Sequence, residues 1–363
     1  IELEEAFAKS TIIEKDNIRY GLINLPRFYV DFQDYGNRNA ATDVKYEIHK
    51  LKKQDVQGII IDLRNNGGGS LQTVVDMAGY FIEKGPIVQV KSTGGKKQIL
   101  FDTDNQIEWN GALVLIVNEF SASASEILAA AFQDYRRGIV LGSKQTYGKG
   151  TVQNMIDLNK IISGNTYGDL GAMKLTTDKF YRINGGSTQL EGVKSDVIFP
   201  NRYSYIEVGE KDQENPLKWD KISPANYDTF INEERFLNII EKSNKRLEGN
   251  PYVKLIDEQA RLIKQRQENS EFTLNYESLV RQKEIENSES EKFKKLNEFS
   301  NTLSFYPTNI DFDKISNDST LIKKRDRWEE TLVKDIYIDE AVNILKDLNK
   351  VPLDYKKVAQ TIK

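Results

Sequence analysis

The chain has 363 residues, which is long for one hydrophobic core and typical of two domains. Its net charge of −4 argues against nucleic acid as the main partner, because phosphate binding needs a basic excess. It has no cysteine, which excludes disulfides, thiolate metal sites and a cysteine nucleophile, and no apolar run of about 18 residues that would predict a transmembrane helix.

To about Pro200 the sequence alternates predicted strands and helices. Strands are predicted at Ile18–Asn24, Phe28–Val30, Gly58–Leu63, Ile87–Val90, Ala112–Val117 and Ile139–Leu141, and helices at Asn39–Lys53, Leu71–Glu83 and Glu126–Tyr135. Short apolar strands separated by helices predict an α/β layer architecture with a largely parallel core sheet. We therefore expect residues 1–200 to form one α/β core.

After Pro200 the pattern changes to polar and then to strongly charged sequence. Residues 201–231 are predicted to be a connecting segment, and residues 232–363 a separate all-α domain. Helices are predicted there at Arg235–Leu247, Val253–Gln267, Tyr276–Asn297 and Ile338–Leu348. No heptad pattern persists long enough to favour a coiled coil.

The single histidine, His49, limits the chemistry that the chain can perform. It lies in a segment, Asp43–Lys52, whose apolar residues recur at helical spacing, so a histidine on a surface helix is the simplest interpretation. A Ser-His-Asp hydrolase would have to use this residue. A zinc hydrolase with the HExxH motif is excluded, because that motif needs two histidines.

Three serines alternate with small residues just before a predicted helix. The segment Asn118–Gln133 reads N-E-F-S-A-S-A-S-E-I-L-A-A-A-F-Q and follows a predicted buried strand. The positive end of a helix and its free N–H groups can stabilise an oxyanion, which suits a nucleophilic serine. A capping box formed by Ser123 and Glu126 is the simpler interpretation of this segment alone. Local sequence does not separate Ser121, Ser123 and Ser125 as candidates.

A second segment, Y-G-K-G-T-V-Q, places Lys149 between Gly148 and Gly150. To act as a base near neutral pH, a lysine needs a pKa about 3 units below its usual 10.4, roughly 4 kcal/mol of disfavoured charge. Burial away from carboxylates is the expected cause. A solvated or phosphate-binding lysine is the alternative. The P-loop motif fails here, because Gly150 replaces its Ser or Thr and Ser143 its first glycine.

The third segment, Asp62–Ser70, reads D-L-R-N-N-G-G-G-S and begins at the end of a predicted strand. Three consecutive glycines let the backbone approach a ligand closely, although a tight strand-to-helix turn would need them too. Because the serine, lysine and glycine segments all follow predicted core strands, they are expected to converge on one site.

These segments together closely resemble the C-terminal processing proteases, also called tail-specific proteases. The resemblance rests on F-S-A-S-A-S-E-I, G-K-G-T-V-Q and D-L-R-x-N-G-G-G, and extends to Leu25–Val30, Phe180–Gln189 and Gly192–Pro200. The charged helical extension is similar to that of the long periplasmic bacterial branch. The resemblance covers nearly the whole chain.

The resemblance implies a crotonase/ClpP-like mixed sheet with flanking helices, followed by an all-α C-terminal domain. It implies Ser123 as nucleophile, Lys149 as general base and Gln153 as the residue that orients the lysine. The backbone N–H groups of Gly69 and Ala124 would form the oxyanion hole. It implies no cofactor and no metal.

The resemblance also implies a serine endopeptidase that forms an acyl-enzyme on protein or peptide substrates in the periplasm. Family members carry a PDZ domain upstream of the core that recognises substrate C-termini, and this chain contains none. An adaptor or a homo-oligomer is left open as a partner. Two alternatives are a catalytically inactive peptide-binding scaffold and an acyl-CoA enzyme, although crotonases typically use carboxylates rather than a Ser–Lys pair.

Overall fold

The computed structural model of the chain describes residues 6–31, 33–162, 166 and 168–350. The outermost parts of the predicted first and last domains, residues 1–5 and 351–363, lie outside the described residues. Within the described ranges, no helix combines the length and apolarity needed to cross a bilayer.

Strands and helices alternate through the first half of the chain, and helices predominate in the second. The strands are β1 (Lys9–Lys15), β2 (Ile18–Asn24), β3 (Gly58–Asp62), β4 (Gly85–Ser92), β5 (Lys97–Asp102), β6 (Ala112–Val117), β7 (Ile139–Gly142), β8 (Thr151–Asp157), β9 (Ala172–Tyr181), β10 (Val197–Ile198) and β11 (Ser304–Tyr306). The helices are α1 (Ala40–Lys52), α2 (Leu71–Gly79), α3 (Ala124–Asp134), α4 (Leu158–Ile161), α5 (Glu233–Gly249), α6 (Pro251–Glu268), α7 (Tyr276–Glu291), α8 (Asn309–Ile315), α9 (Ser319–Val333) and α10 (Ile336–Leu348).

The central layer is a seven-stranded sheet in the order β10-β7-β6-β3-β2-β1-β11. Its five strands from β10 to β2 run parallel. Strand β1 pairs antiparallel with β2, and β11 pairs antiparallel with β1 at the edge of the sheet. Every residue of β3 and β6 is buried, which explains their continuous apolar sequences. Because β3 and β6 are parallel neighbours, the glycine and serine segments that follow them begin at the same edge.

A second sheet, in the order β5-β4-β9-β8, is antiparallel throughout. The sequence did not predict β5, β8 or β9, because these strands are largely exposed and lack a strong apolar pattern. Strand β8 forms one edge of this sheet and begins two residues after Lys149.

The fold class predicted for the chain, a mixed α/β sheet with flanking helices followed by a helical C-terminal region, is confirmed. One detail is corrected: the C-terminal region is not all-α, because β11 pairs with β1 in the central sheet. Helix α10 also packs on that sheet and buries Ile338 and Val342 completely in the common core. An amphipathic helix needs an apolar surface to cover, and here the central sheet supplies it.

Candidate active site

The glycine turn after β3 packs closely against the backbone of two other segments, at Ala122 and at Phe28. Gly68 has a φ of +97°, and a Cβ there would lie 2.7 Å from the Ala122 carbonyl oxygen. Gly69 has a φ of +148°, and a Cβ would lie 2.0 Å from the Phe28 carbonyl oxygen. No residue with a side chain fits either position without moving the backbone. The predicted strand Phe28–Val30 is reduced to a single bridge between Phe28 and Gly69.

The surroundings of the three candidate serines differ, although local sequence did not distinguish them. The Ser121 hydroxyl donates to the Leu63 carbonyl at 2.8 Å, and the Ser125 hydroxyl donates to the Asn66 carbonyl at 2.8 Å. Both side chains are completely buried, so they tie the serine segment to the glycine turn. Ser123 alone among the three lines a cavity open to solvent.

Ser123 also has an unusual backbone conformation, with φ +57° and ψ −112° at the residue before α3. Such a conformation is costly for a residue other than glycine and is concentrated at functional sites. The N–H groups of Glu126 and Ile127 donate to the Ser123 carbonyl at 2.9 and 3.0 Å. The first turn of α3 therefore does not depend on the Ser123 hydroxyl as a cap.

Two residues of the predicted oxyanion hole, Gly69 and Ala124, lie beside Ser123 in the cavity. Across the described part of the chain, the backbone N–H group of neither residue donates to a protein acceptor. These N–H groups are therefore available to a ligand in the cavity.

Lys149 and Gln153 line this cavity as well. The Lys149 Nζ donates to the Gln153 Oε1 at 3.2 Å, as expected for a glutamine that orients the amine. Among the described residues, no hydrogen bond joins Nζ to the Ser123 hydroxyl, and no carboxylate forms an ion pair with it. All five predicted site residues thus line one cavity of about 640 Å³, but the serine and lysine side chains are not hydrogen-bonded to each other.

The electrostatic environment favours the neutral form of Lys149. Burial lowers the pKa of the amine below its ordinary value, and the positive charge of Lys174 lowers it further. Glu210 and Glu126 act in the opposite direction but do not reverse the shift. The direction of the shift is the one that a lysine base requires.

Glu126 is a site residue that the sequence analysis recognised only as part of a capping box. Its carboxylate is completely buried and accepts four hydrogen bonds. The donors are the Ser123 N–H at 2.8 Å, the Thr146 hydroxyl at 2.6 Å, the Gly148 N–H at 2.7 Å and the Lys149 N–H at 2.9 Å. One side chain thereby fastens the serine segment to the lysine loop. Only its spacing from Ser123 is visible in the sequence, because its other partners lie 20 to 23 residues away along the chain.

His49 lies outside the cavity, on helix α1. Its side chain is 47% exposed, and its Nε2 is 2.6 Å from the Glu108 carboxylate. The prediction of a surface-helix histidine agrees with this position, and the active-site cavity has no histidine among its lining residues.

A second cavity, of about 580 Å³, adjoins the first. Gly67, Lys149, Thr151 and Gln153 line both cavities, so the lysine stands between them. The far wall of the second cavity includes residues 213–217 of the segment predicted as a connection.

Both the α/β part and the C-terminal part of the chain match known protein-family models. Residues 19–199 match the model of peptidase family S41, and residues 203–350 match the C-terminal domain of tail specific protease. The chain belongs to peptidase family S41. The resemblance predicted from the serine, lysine and glycine segments is confirmed.

Named S41 relatives are tail-specific and carboxy-terminal-processing proteases. The chain is 37% identical to the tail-specific protease of Haemophilus influenzae over 302 residues, which are 82% of this chain and 42% of that protein. It is 37% identical to the chloroplastic C-terminal processing peptidase of Tetradesmus obliquus over 123 residues, 34% of this chain and 26% of that one. The chain therefore spans less than half the length of these curated relatives.

Solved S41 structures are also similar. The photosystem II D1 C-terminal processing protease is 27% identical with a TM-score of 0.44, over 53% of this chain and 47% of that chain. Mature CPAF is 13% identical with a TM-score of 0.40, over 53% of this chain and 49% of that chain.

Proposed function

We propose that this chain carries the catalytic centre of a serine endopeptidase of the C-terminal processing type, with Ser123 as nucleophile and Lys149 as general base. One observation carries the proposal. Of three neighbouring serines, the one with the strained backbone faces a cavity that also holds two free N–H groups and a lysine whose pKa is lowered.

The proposed reaction is acyl transfer in two steps. Neutral Lys149 removes the proton of the Ser123 hydroxyl as its oxygen attacks the peptide carbonyl carbon. The N–H groups of Gly69 and Ala124 stabilise the oxyanion, and Lys149 returns the proton to the leaving amine as the C–N bond breaks. Lys149 then deprotonates a water molecule that attacks the acyl-enzyme, and the proton goes back to Ser123 as it leaves.

In this mechanism Gln153 orients the lysine amine between catalytic steps. The amine must move from Gln153 toward Ser123 for the first proton transfer, and rotation about the four-carbon stem of lysine permits this. Hydrogen bonds of catalytic groups are often long or unformed before substrate binds.

The two adjoining cavities support an extended protein or peptide substrate that passes on both sides of Lys149. We propose that substrate tails are recognised by a PDZ domain, as expected for the family. A periplasmic location is proposed on the same resemblance to the long bacterial branch.

We also propose the division of the chain into a catalytic core (1–200), a connecting segment (201–231) and a C-terminal domain (232–363). The ends of the two family matches, at residues 199 and 203, support the first of these boundaries.

An inactive peptide-binding scaffold is the second candidate, and the unformed contact between Ser123 and Lys149 favours it. The test is to label the full chain with a serine-reactive fluorophosphonate, map the modified residue and measure cleavage of an unfolded protein. We expect modification of Ser123 and a loss of cleavage of about 10⁴-fold in both Ser123→Ala and Lys149→Ala, with unchanged melting temperature.

His49→Ala is the matched control and should cleave at the wild-type rate. Label on another serine, or cleavage that survives in Ser123→Ala, would contradict the assignment of the nucleophile. A wild-type chain that is neither labelled nor active would favour the scaffold.

A further inference from the structure

Arg64 connects the glycine turn with the C-terminal helical region. Its Nε and Nη2 donate to the Asp62 carboxylate at 2.6–3.1 Å, and Nη2 also donates to Asp335 Oδ2 at 2.6 Å. The exposed fractions of the three side chains are 20% for Arg64, 8% for Asp62 and 16% for Asp335. A guanidinium with so little solvent depends on both carboxylates for its charge balance.

The position of Asp335 is fixed from its own side of the contact. Its Oδ1 accepts from the N–H groups of Tyr337 at 2.9 Å and Ile338 at 3.4 Å, which makes it the N-cap of α10. The Tyr337 ring lies 5.2 Å from the Arg64 guanidinium carbon. Because α10 is packed on the central sheet, the carboxylate that meets Arg64 is held rigidly.

Further hydrogen bonds link Arg64 to the glycine turn, which carries the proposed oxyanion donor Gly69. The Arg64 N–H donates to Asp62 Oδ1 at 3.0 Å, which bends the chain as it leaves β3. The next residue, Asn65, exchanges two hydrogen bonds of 2.9 Å with Asn118 at the start of the serine segment. The Asn66 carbonyl then accepts from the Ala122 N–H at 3.0 Å. The hydrogen bonds with Asn118 and Ala122 fix the glycine turn relative to the serine segment.

Burial disfavours the charged guanidinium, but Asp335 and Asp62 outweigh this and raise the pKa of Arg64 above its ordinary value. Arg64 therefore remains a cation at the base of the turn. Without Asp335, the guanidinium would keep Asp62 but would lose one acceptor, and it would have to shift toward water or toward another acceptor. Either movement displaces the backbone at Asn65, to which the rest of the turn is tied.

We propose that Asp335 is a positioning residue for the oxyanion hole: through Arg64 it holds the glycine turn so that the Gly69 N–H meets the oxyanion formed at Ser123. The C-terminal region therefore contributes to transition-state stabilisation. This inference rests on the function proposed above for Ser123 and Gly69.

The test is Asp335→Asn in the full chain. Asparagine keeps an oxygen to cap α10 but presents an amide NH₂ in place of the oxygen that accepts from Arg64. Partial displacement of one oxyanion donor should lower kcat by about 10-fold, less than the 10²–10³-fold that complete loss of a donor costs. KM should change less than about twofold. Affinity for a peptide aldehyde, which forms a tetrahedral adduct on the nucleophile, should fall in parallel with kcat.

The matched control is Asp318→Asn, at the N-cap of α9. Asp318 Oδ1 accepts from the N–H groups of Thr320 at 2.8 Å and Leu321 at 3.2 Å, and the described residues give it no arginine partner. This variant should retain wild-type kcat and aldehyde affinity. A double-mutant cycle of Asp335→Asn with Arg64→Lys should be strongly non-additive, since both changes act through one contact.

Wild-type kcat and aldehyde affinity in Asp335→Asn would overturn the inference, as would a loss of rate that only mirrors a loss of folded protein. If the wild-type chain proves inactive, the proposed function fails instead. Hydrogen exchange of the amides of residues 65–69 still tests the link in that case. Faster exchange in Asp335→Asn, but not in Asp318→Asn, supports it, and equal exchange contradicts it.

Discussion

The two halves of the candidate site are built in opposite ways. The half that carries Ser123 lies at the end of the buried strands β3 and β6, where Ser121, Ser125 and Asn66 form buried hydrogen bonds between the glycine turn and the serine segment. The half that carries Lys149 and Gln153 lies at the start of β8, an exposed edge strand of the second sheet.

This difference indicates a division of labour between the halves. In the proposed mechanism the nucleophile and oxyanion donors need fixed geometry, which a packed sheet edge provides. The base in this mechanism needs freedom to exchange partners during the reaction, and the flexible four-carbon side chain of Lys149 provides it. Glu126 fastens the two halves together, so a change at that residue should separate them without damaging either.

The largest effect predicted from this comparison follows from Glu126→Gln. A glutamine NH₂ would face backbone N–H groups that now donate to a carboxylate oxygen, so the serine segment and lysine loop should move apart. We expect kcat/KM to fall by about 100-fold and the free energy of unfolding by about 2 kcal/mol. Peptide hydrolysis and urea denaturation measure the two quantities.

Glu119→Gln is the matched control for this variant. Glu119 is also a buried acid near the serine segment, but its carboxylate accepts from Asn201 at 2.8 Å, a bond that glutamine can keep. Equal losses in both variants would show that any buried acid matters here, and that Glu126 has no special coupling role.

A smaller effect concerns the pH dependence of the rate. Lys149 must be neutral, and Glu126 must be ionised to accept four hydrogen bonds; burial raises the pKa of Glu126 to about 7. Both requirements are met better as pH rises. The rise in kcat/KM should therefore be steepest below about pH 7, where both groups lose protons, become about tenfold per unit where only Lys149 remains to be deprotonated, and then level off. A profile that falls between pH 6 and 8 would contradict this, and His49→Ala should leave the profile unchanged.

The free energy of unfolding should fall as pH rises toward about 7, whereas kcat/KM should rise over the same pH range. Burial raises the pKa of Glu126 and Asp196 to about 7 and that of Asp102 to about 6, from ordinary values of 4.5, 3.8 and 3.8. Because the folded state binds these protons more tightly, their contribution to stability is complete below the ordinary values. It is lost as pH rises through the range up to about 7.

The smallest predicted effect concerns Asp102, which does not line the cavity of the candidate site. Asp102 has a buried Oδ2 without a hydrogen-bond partner in the described structure. Asp102→Asn should therefore raise the free energy of unfolding at pH 8 by about 1 kcal/mol, a value reduced for the partial exposure of the side chain. It should have no effect at pH 4 and none on kcat. Destabilisation at pH 8 in thermal denaturation would be the contrary result.

Sequence reasoning succeeded where a single segment contained the cause of the structure. Strands β3 and β6 and helix α10 follow from their own apolar patterns, and the need for glycine at Gly69 is visible in the run of three. It failed at β8 and β9, whose exposed residues carry no burial pattern, and at β11, which depends on a partner nearly 300 residues away.

The same limit applied to the site. Local sequence placed three serines before a helix, and only their buried hydrogen bonds separate Ser121 and Ser125 from Ser123. The roles of Glu126 and Asp335 were not predicted, because their partners come from other segments of the chain. Residues that join elements are visible only once the fold has brought those elements together.

The pairing of β1 with β11 has a consequence for how the protein is made. Ile12 lies opposite Tyr306 in this pair, so the outer side of β1 stays uncovered until the ribosome has synthesised most of the chain. An uncovered edge strand can pair with another nascent chain, and contacts between residues so distant in sequence form slowly. Synthesis of the segment that carries β11 therefore also protects β1 from aggregation.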